Sequence, residues 1–216
     1  PTNFTYKNGS RAGLYSAYNN FTIDRHCRWM KEYGIDGVFV QSSVIANAAS
    51  SIRRKHRDVV LDNIKHSSEI HGIYFAITFD ISHANSESVY SDIIADWMYL
   101  VDSRKVTESL HYLHHNGKPV LKLWGFGFQN HPGDPAKVSS LMHWFQTSAD
   151  EKYRATLVGG IPSYWRTLDR DSKSDPAWAT VYRSFDFISP WTVGRVAQDI
   201  DIDNYVQNTV VGDMEE

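Results

Sequence analysis

The sequence predicts an α/β fold with parallel strands, and three observations lead there. Short, almost continuously apolar runs alternate with longer amphipathic stretches along the whole chain. Such runs are expected of strands buried on both faces of a parallel sheet. About six strand–helix units recur at roughly 35-residue spacing, with no hairpin signal read between them.

The first unit opens with residues 13–18, read as a strand. Thr22 is expected to cap the next helix, with Asp24 in the first turn, where a negative charge is favourable. Ile23, Cys27 and Met30 recur at i, i+4 and i+7, so one helix face is apolar. Gly34 suits the left-handed residue that ends a helix. The second strand is 37–41, followed by a helix over 50–70 ended by Gly72. The third strand is 73–79. A helical period follows through Tyr90, Ile93, Ile94, Trp97, Met98 and Val101. A further helix is expected over 105–113, leading to Gly117. The fourth strand is 119–124, with a helix over 136–147. The fifth strand is 155–160, with a short helix near 178–183. The sixth strand is 185–190, with a last helix over 201–211.

Two architectures satisfy this pattern: an open doubly wound sheet and a (β/α)8 barrel. A barrel has eight units and typically runs to about 250 residues or beyond, so it would need roughly 60 more residues, close to two further units. Against the open sheet, Tyr18-Asn19-Asn20 has no glycine to let a pyrophosphate approach after the first strand.

Composition narrows the function. The chain has 216 residues, 42% hydrophobic, 13% aromatic and 22% charged, which suits one globular domain over 1–216. Net charge is −3, and no basic run exceeds Arg53-Arg54-Lys55, so a nucleic-acid partner is not expected. No apolar stretch nears the ~20 residues of a membrane span. The single cysteine, Cys27, excludes an internal disulfide and is expected in the core. Sequons at Asn3, Asn8 and Asn20 tilt the expectation toward a secretory compartment. The 7 Trp and 12 Tyr are rich for this size, a trait shared with sugar-binding proteins.

In either architecture chemistry gathers at the carboxyl ends of the strands. Those positions carry Tyr15 and Tyr18, then Gln41, then Asp80, then Lys122 and Trp124, then Trp165 and Arg166, then Trp191 and Arg195. Flat aromatic rings flanked by polar groups match a sugar ring, which has an apolar C–H face and a belt of hydroxyls. Trp124, Trp165 and Trp191 follow three successive strands in equivalent places. The blander reading is that they plug a core. Asp80 is the only carboxylate at a strand's carboxyl end; Asp36 and Asp186 sit at strand starts and read as structural. Glycoside hydrolysis normally needs two carboxyl groups some ~5–10 Å apart, so Asp80 alone cannot supply both. Asp169 and Asp171 read as turn residues. His111, His114 and His115 have helical spacing, but a solvated helix face explains them, and neither a metal nor a cofactor is expected.

Tyr15-Ser-Ala-Tyr18 and 29–41, with 75–82, 116–128, 160–168 and 188–195 following in order, resemble the glycoside hydrolase family 71/99-like proteins. That group includes sequences named xylosidase/arabinosidase and is related to the family 99 endo-α-mannosidases. The resemblance covers nearly the whole chain. It implies a (β/α)8 TIM-type barrel, here truncated after about six units, with a sugar site at its top. It also implies that Asp80 contacts the sugar in the cleavage subsite and that Trp124 and Trp191 line the cleft. The family's two catalytic glutamates lie after the last strands, and Glu215 and Glu216 do not resemble that motif. The expected function is therefore a glycosidase-like domain acting on or binding an α-linked glycan, the catalytic pair lying beyond these residues. The alternative is a non-catalytic carbohydrate-binding protein. An unclosed barrel would leave two strand edges unpaired and prone to self-association.

Overall fold

The computed structural model describes residues 3–44, 52–194 and 196–216, which divide into two compact units. The first comprises the described residues of Pro1–Val38, Ala48–Phe75 and Val106–Tyr112; the second takes the rest.

The first unit is built on α1 (Asn20–Glu32) and α2 (Ile52–His71). The N-cap of α1 is Asn19, three residues before the expected Thr22; its side chain accepts from the Phe21 N–H. Ile23 and Cys27 are buried as their spacing requires, and burial raises the Cys27 thiol pKa. His71 Nε2 lies 2.7 Å from Asp24 Oδ1, tying the end of α2 to α1. Gly34 and Gly72 take left-handed φ of 71° and 69°, ending each helix where predicted.

Residues 13–18 do not form the predicted strand. Ser16 Oγ and the Ser16 carbonyl accept from the amides of Tyr18 and Asn19, closing a turn. Asn63 Nδ2 donates to the carbonyls of Ala17 at 3.2 Å and Tyr18 at 3.1 Å. The carbonyls of residues 16–18 and the Tyr18 amide are thus used by this turn and one amide side chain. The helix expected over 105–113 is also absent. Lys105 takes φ 51°, and only a single 3-10 turn, Val106–Glu108, follows.

The strands are β1 (Gly37–Ser43), β2 (Tyr74–Asp80), β3 (His114–His115), β4 (Lys118–Trp124), β5 (Thr156–Ile161) and β6 (Phe187–Pro190). Their order is β1-β2-β4-β5-β6, with β2/β4, β4/β5 and β5/β6 parallel. Sequential order decides between the two architectures. A doubly wound sheet reverses its strand order at a switch point; a barrel-type sheet adds each parallel strand beside the last. The fold is therefore α/β of the TIM-barrel type.

β3 is a departure. It pairs antiparallel with β4 through a two-residue turn, Asn116-Gly117, with φ 50° and 76°. Both residues are left-handed, as a tight hairpin turn requires, and Asn-Gly is the dipeptide that favours it. Asn116-Gly117 is thus a hairpin signal within the sequence, contrary to the expectation of none between the units. His114 and His115 are therefore exposed strand residues and share no helix face with His111.

The second unit also holds α3 (Val89–Asp102), α4 (Pro135–His143), α5 (Ala177–Arg183), α6 (Asp199–Tyr205) and α7 (Val211–Glu215). Asp134 caps α4, accepting from the Lys137 N–H at 3.0 Å with Pro135 in the first turn. Trp97 on α3 is wholly buried, and its Nε1 donates to the Tyr153 carbonyl at 2.8 Å. Among the described residues no helix is long and apolar enough to cross a membrane.

Candidate functional site

Pairing register sets which residues share a sheet face. Thr78 stands opposite Lys122, which stands opposite Val158; Asp80 stands opposite Trp124, which stands opposite Gly160, which stands opposite Ser189. Side chains alternate along a strand, so these residues lie together on one face. Leu121, Leu123, Leu157 and Gly159 occupy the other.

Glycines at 159 and 160 give each face room for one aromatic ring. A Cβ on Gly160 would sit 2.4 Å from Trp124 Cδ1, and one on Gly159 would sit 2.5 Å from the Phe185 ring. The Trp124 indole therefore lies across β5 at its carboxyl end. Trp191 meets it in a T-shaped pair, centroids 5.1 Å apart and planes at 66°. Trp191 is 38% exposed, so this aromatic wall is open to solvent. Two residues that sequence reasoning missed complete it: Phe128 and His131, with centroids 5.2 and 5.3 Å from Trp124. His131 Nδ1 is 3.1 Å from the Gly125 carbonyl. The chain returns here because Gly125 and Gly127 take φ of 116° and 85°. The Gly-Phe-Gly sequence was the available signal.

Asp80 ends β2. Its Oδ1 accepts from the Ser82 amide at 2.8 Å and from Ser82 Oγ, and its Oδ2 accepts from Gln41 Nε2. The carboxylate is thus fixed in orientation by neighbours on both oxygens. Lys122 Nζ donates to Ser189 Oγ at 3.0 Å and lies 5.2 Å from the Phe39 ring centroid. Burial holds its pKa below the ordinary value. Two polar atoms on this face, Thr78 Oγ1 and Trp124 Nε1, are buried without a hydrogen bond.

Gln41, Asp80, Lys122, Trp124 and Trp191 thus come together in the second unit. Within the same unit, Trp165 and Arg166 do not join them. Trp165 is 2% exposed, with the Arg183 guanidinium 5.2 Å from its ring centroid. Asp171 causes this: its carboxylate accepts from the amides of Ser163 and Tyr164 at 2.9 and 3.1 Å, and Trp165 is the next residue of the turn it closes. Ser163 Oγ in turn donates to the Trp191 carbonyl. Arg166 Nε reaches Asp213 at 3.3 Å and is held at the C-terminal helix. Tyr15 and Tyr18 belong to the first unit, where they lie against His26 and His56. Arg195 lies outside the described residues.

No second carboxylate enters the hydrogen-bonded group around Asp80 among the described residues. Asp186 accepts from the Leu157 amide at 2.7 Å, a structural role at the start of the sheet. Glu216 pairs with Arg183. No described His, Cys, Asp and Glu residues cluster as a metal site.

No protein-family model matches the chain, and no curated protein matches it by sequence. Solved structures do match. The GH99 endo-α-mannosidase from Bacteroides thetaiotaomicron superposes with a TM-score of 0.59 at 12% identity, over 91% of this chain and 50% of that one. The same enzyme in complex with bis-tris-propane gives 0.58 at 12% identity, over 91% and 53%. The chain spans about half the length of these structures. At that identity the likeness establishes a fold relation to glycoside hydrolases.

Proposed function

We propose that this chain is a glycoside hydrolase domain of the 71/99-like type that binds an α-linked glycan on the open face of its sheet. The observation that carries the reading is the solvent-open Trp124–Trp191 pair beside an oriented Asp80 carboxylate. An indole face packs against the C–H face of a pyranose, and a carboxylate accepts from adjacent hydroxyls. Gln41 and Lys122 complete the polar rim, Lys122 as a donor to ring or glycosidic oxygens. Trp165 and Arg166 are left out because each is committed elsewhere in the fold. The fold relation to endo-α-mannosidases supports α-mannosides as the first substrates to try.

Hydrolysis requires two carboxyl groups about 5–10 Å apart, and the group around Asp80 supplies one. The proposal therefore gives these residues to sugar binding and leaves the catalytic pair outside them. The same single carboxylate favours a second reading, a carbohydrate-binding protein without hydrolytic activity.

Calorimetric titration with α-linked manno-oligosaccharides tests the binding claim. Saturable binding that weakens at least tenfold in Trp191→Ala is expected. Equal affinity of the variant, or no binding at millimolar ligand, removes the proposal. Mass-spectrometric assay for released sugars tests the second reading: release by this chain removes it, whereas binding without release is expected of both.

A further inference from the structure

A second cavity, of about 540 Å³, opens between the loop after β5 and the C-terminal helical segment. It shares no lining residue with the Trp124–Trp191 wall. Its helix side is formed by Asp201, Asn204, Tyr205, Asn208 and Thr209, at i, i+3, i+4, i+7 and i+8. That is the stripe a helix ordinarily fills with apolar residues when it faces an interior. Here it carries a carboxylate, two amides, a phenol and a hydroxyl.

Two backbone features meet at the same place. The helix passes from α6 into a π-helical turn, Val206–Val210, before α7 resumes, which shifts the register at Asn208. Such turns are rare and concentrate at functional sites. Across the cavity, Leu168 and Arg170 flank Asp169 with left-handed φ of 56° and 51°. For non-glycine residues that conformation costs energy and persists where surroundings hold it. Arg170 lies over the Tyr164 ring, 4.5 Å from its centroid, and donates to its hydroxyl at 2.7 Å.

The lining is rich in paired donors and acceptors and is not basic: two carboxylates stand against one guanidinium. An anion such as phosphate would meet Asp169 and Asp201. A neutral polyhydroxylated ligand would find amide, phenol and carboxylate partners, and the volume suits one or two sugar rings. We infer that this cavity is a second carbohydrate-binding site. The inference rests on reading the protein as glycan-binding. The Ser163–Asp171 loop forms one cavity wall and also bonds to the Trp191 backbone.

The test titrates 15N-labelled full chain with α-linked mannobiose, maltose, methyl α-D-xyloside and, separately, sodium phosphate. The side-chain amide signals of Asn204 and Asn208 report this cavity; the indole signals of Trp124 and Trp191 report the aromatic wall. At least one sugar is expected to move the two amide signals saturably at millimolar concentration. That response should persist in Trp191→Ala and weaken at least fivefold in Asn204→Ala. Amide signals unmoved by every sugar, or moved by phosphate alone, overturn the inference. Movement confined to the indoles overturns it too but leaves the aromatic-wall reading standing. Movement of the amides with silent indoles does the reverse.

Discussion

Strands β4 and β5 present two unlike faces. On one, Leu121, Leu123 and Leu157 are each 0% exposed, and the Phe185 ring fills the space over Gly159. On the other, Lys122 and Trp124 keep partial contact with solvent, and Thr78 Oγ1 and Trp124 Nε1 make no hydrogen bond. Buried polar groups are ordinarily paired, because leaving one unpaired costs about 1–3 kcal/mol. The contrast teaches that one face is optimised for folding, while the other keeps hydrogen-bonding capacity that the fold itself does not use.

The contrast can be attacked from either side. Leu123→Ala, on the filled face, is expected to lose about 2–5 kcal/mol of stability. Glycan affinity should stay within twofold, measured on protein confirmed folded by circular dichroism. A stability loss below 1 kcal/mol would remove the distinction between the faces. Gly160→Ala puts a methyl group into the Trp124 indole, and overpacking of that kind costs about 1–3 kcal/mol. Unlike Leu123→Ala, it should also reduce glycan affinity, because the indole must leave β5; unchanged affinity contradicts the geometry.

Lys122→Met probes charge on the open face. Burial depresses the ammonium pKa below 10.5, so the unfolded chain holds that proton more tightly. Stability therefore rises with pH between the depressed value and 10.5, where the unfolded state binds more protons. Replacement by Met should stabilise the protein at neutral pH, with the gain fading toward pH 10.5. Denaturant midpoints at neutral and alkaline pH read this, and a gain that grows with pH refutes it. The smallest effect is expected from Thr78→Val. It exchanges an unpaired hydroxyl for a methyl group and should be neutral or stabilising by up to about 1 kcal/mol. A loss beyond that range would mean that the hydroxyl has a use within the fold.

Much of the sheet was legible because burial on both sides leaves an apolar run with no alternation, as at residues 75–77 and 157–161. Residues 13–18 looked similar, but a strand exists only with a partner, and sequence does not reveal one. There Leu14 and Tyr15 are 83% and 76% exposed, and the local Ser16–Asn19 turn prevails. Asn116-Gly117 is a readable turn signal, but β3 before it is two exposed histidines and offers no apolar run to mark a strand. In the candidate site, Gln41, Asp80, Lys122 and Trp124 could be located because position on a parallel strand fixes which end a side chain serves, and Trp191 because it directly follows β6. Trp165 could not, because it lies four residues past β5. Its direction depends on Asp171, six residues away, which holds the turn. His131 and Phe128 arrive by a loop whose path is a tertiary fact.

That clamp has a kinetic consequence. Asp171 holds the amides of Ser163 and Tyr164, and the Gln129 amide donates to the Asp171 carbonyl at 3.0 Å. The loop bordering both the Trp191 backbone and the polar cavity is thus held by hydrogen bonds of the fold itself. A ligand arriving there loses little affinity to immobilising backbone. Association should then proceed in a single phase, rising linearly with ligand concentration, with no slow loop-closing step to saturate it. Differences in affinity between sugars would appear in how fast each one leaves.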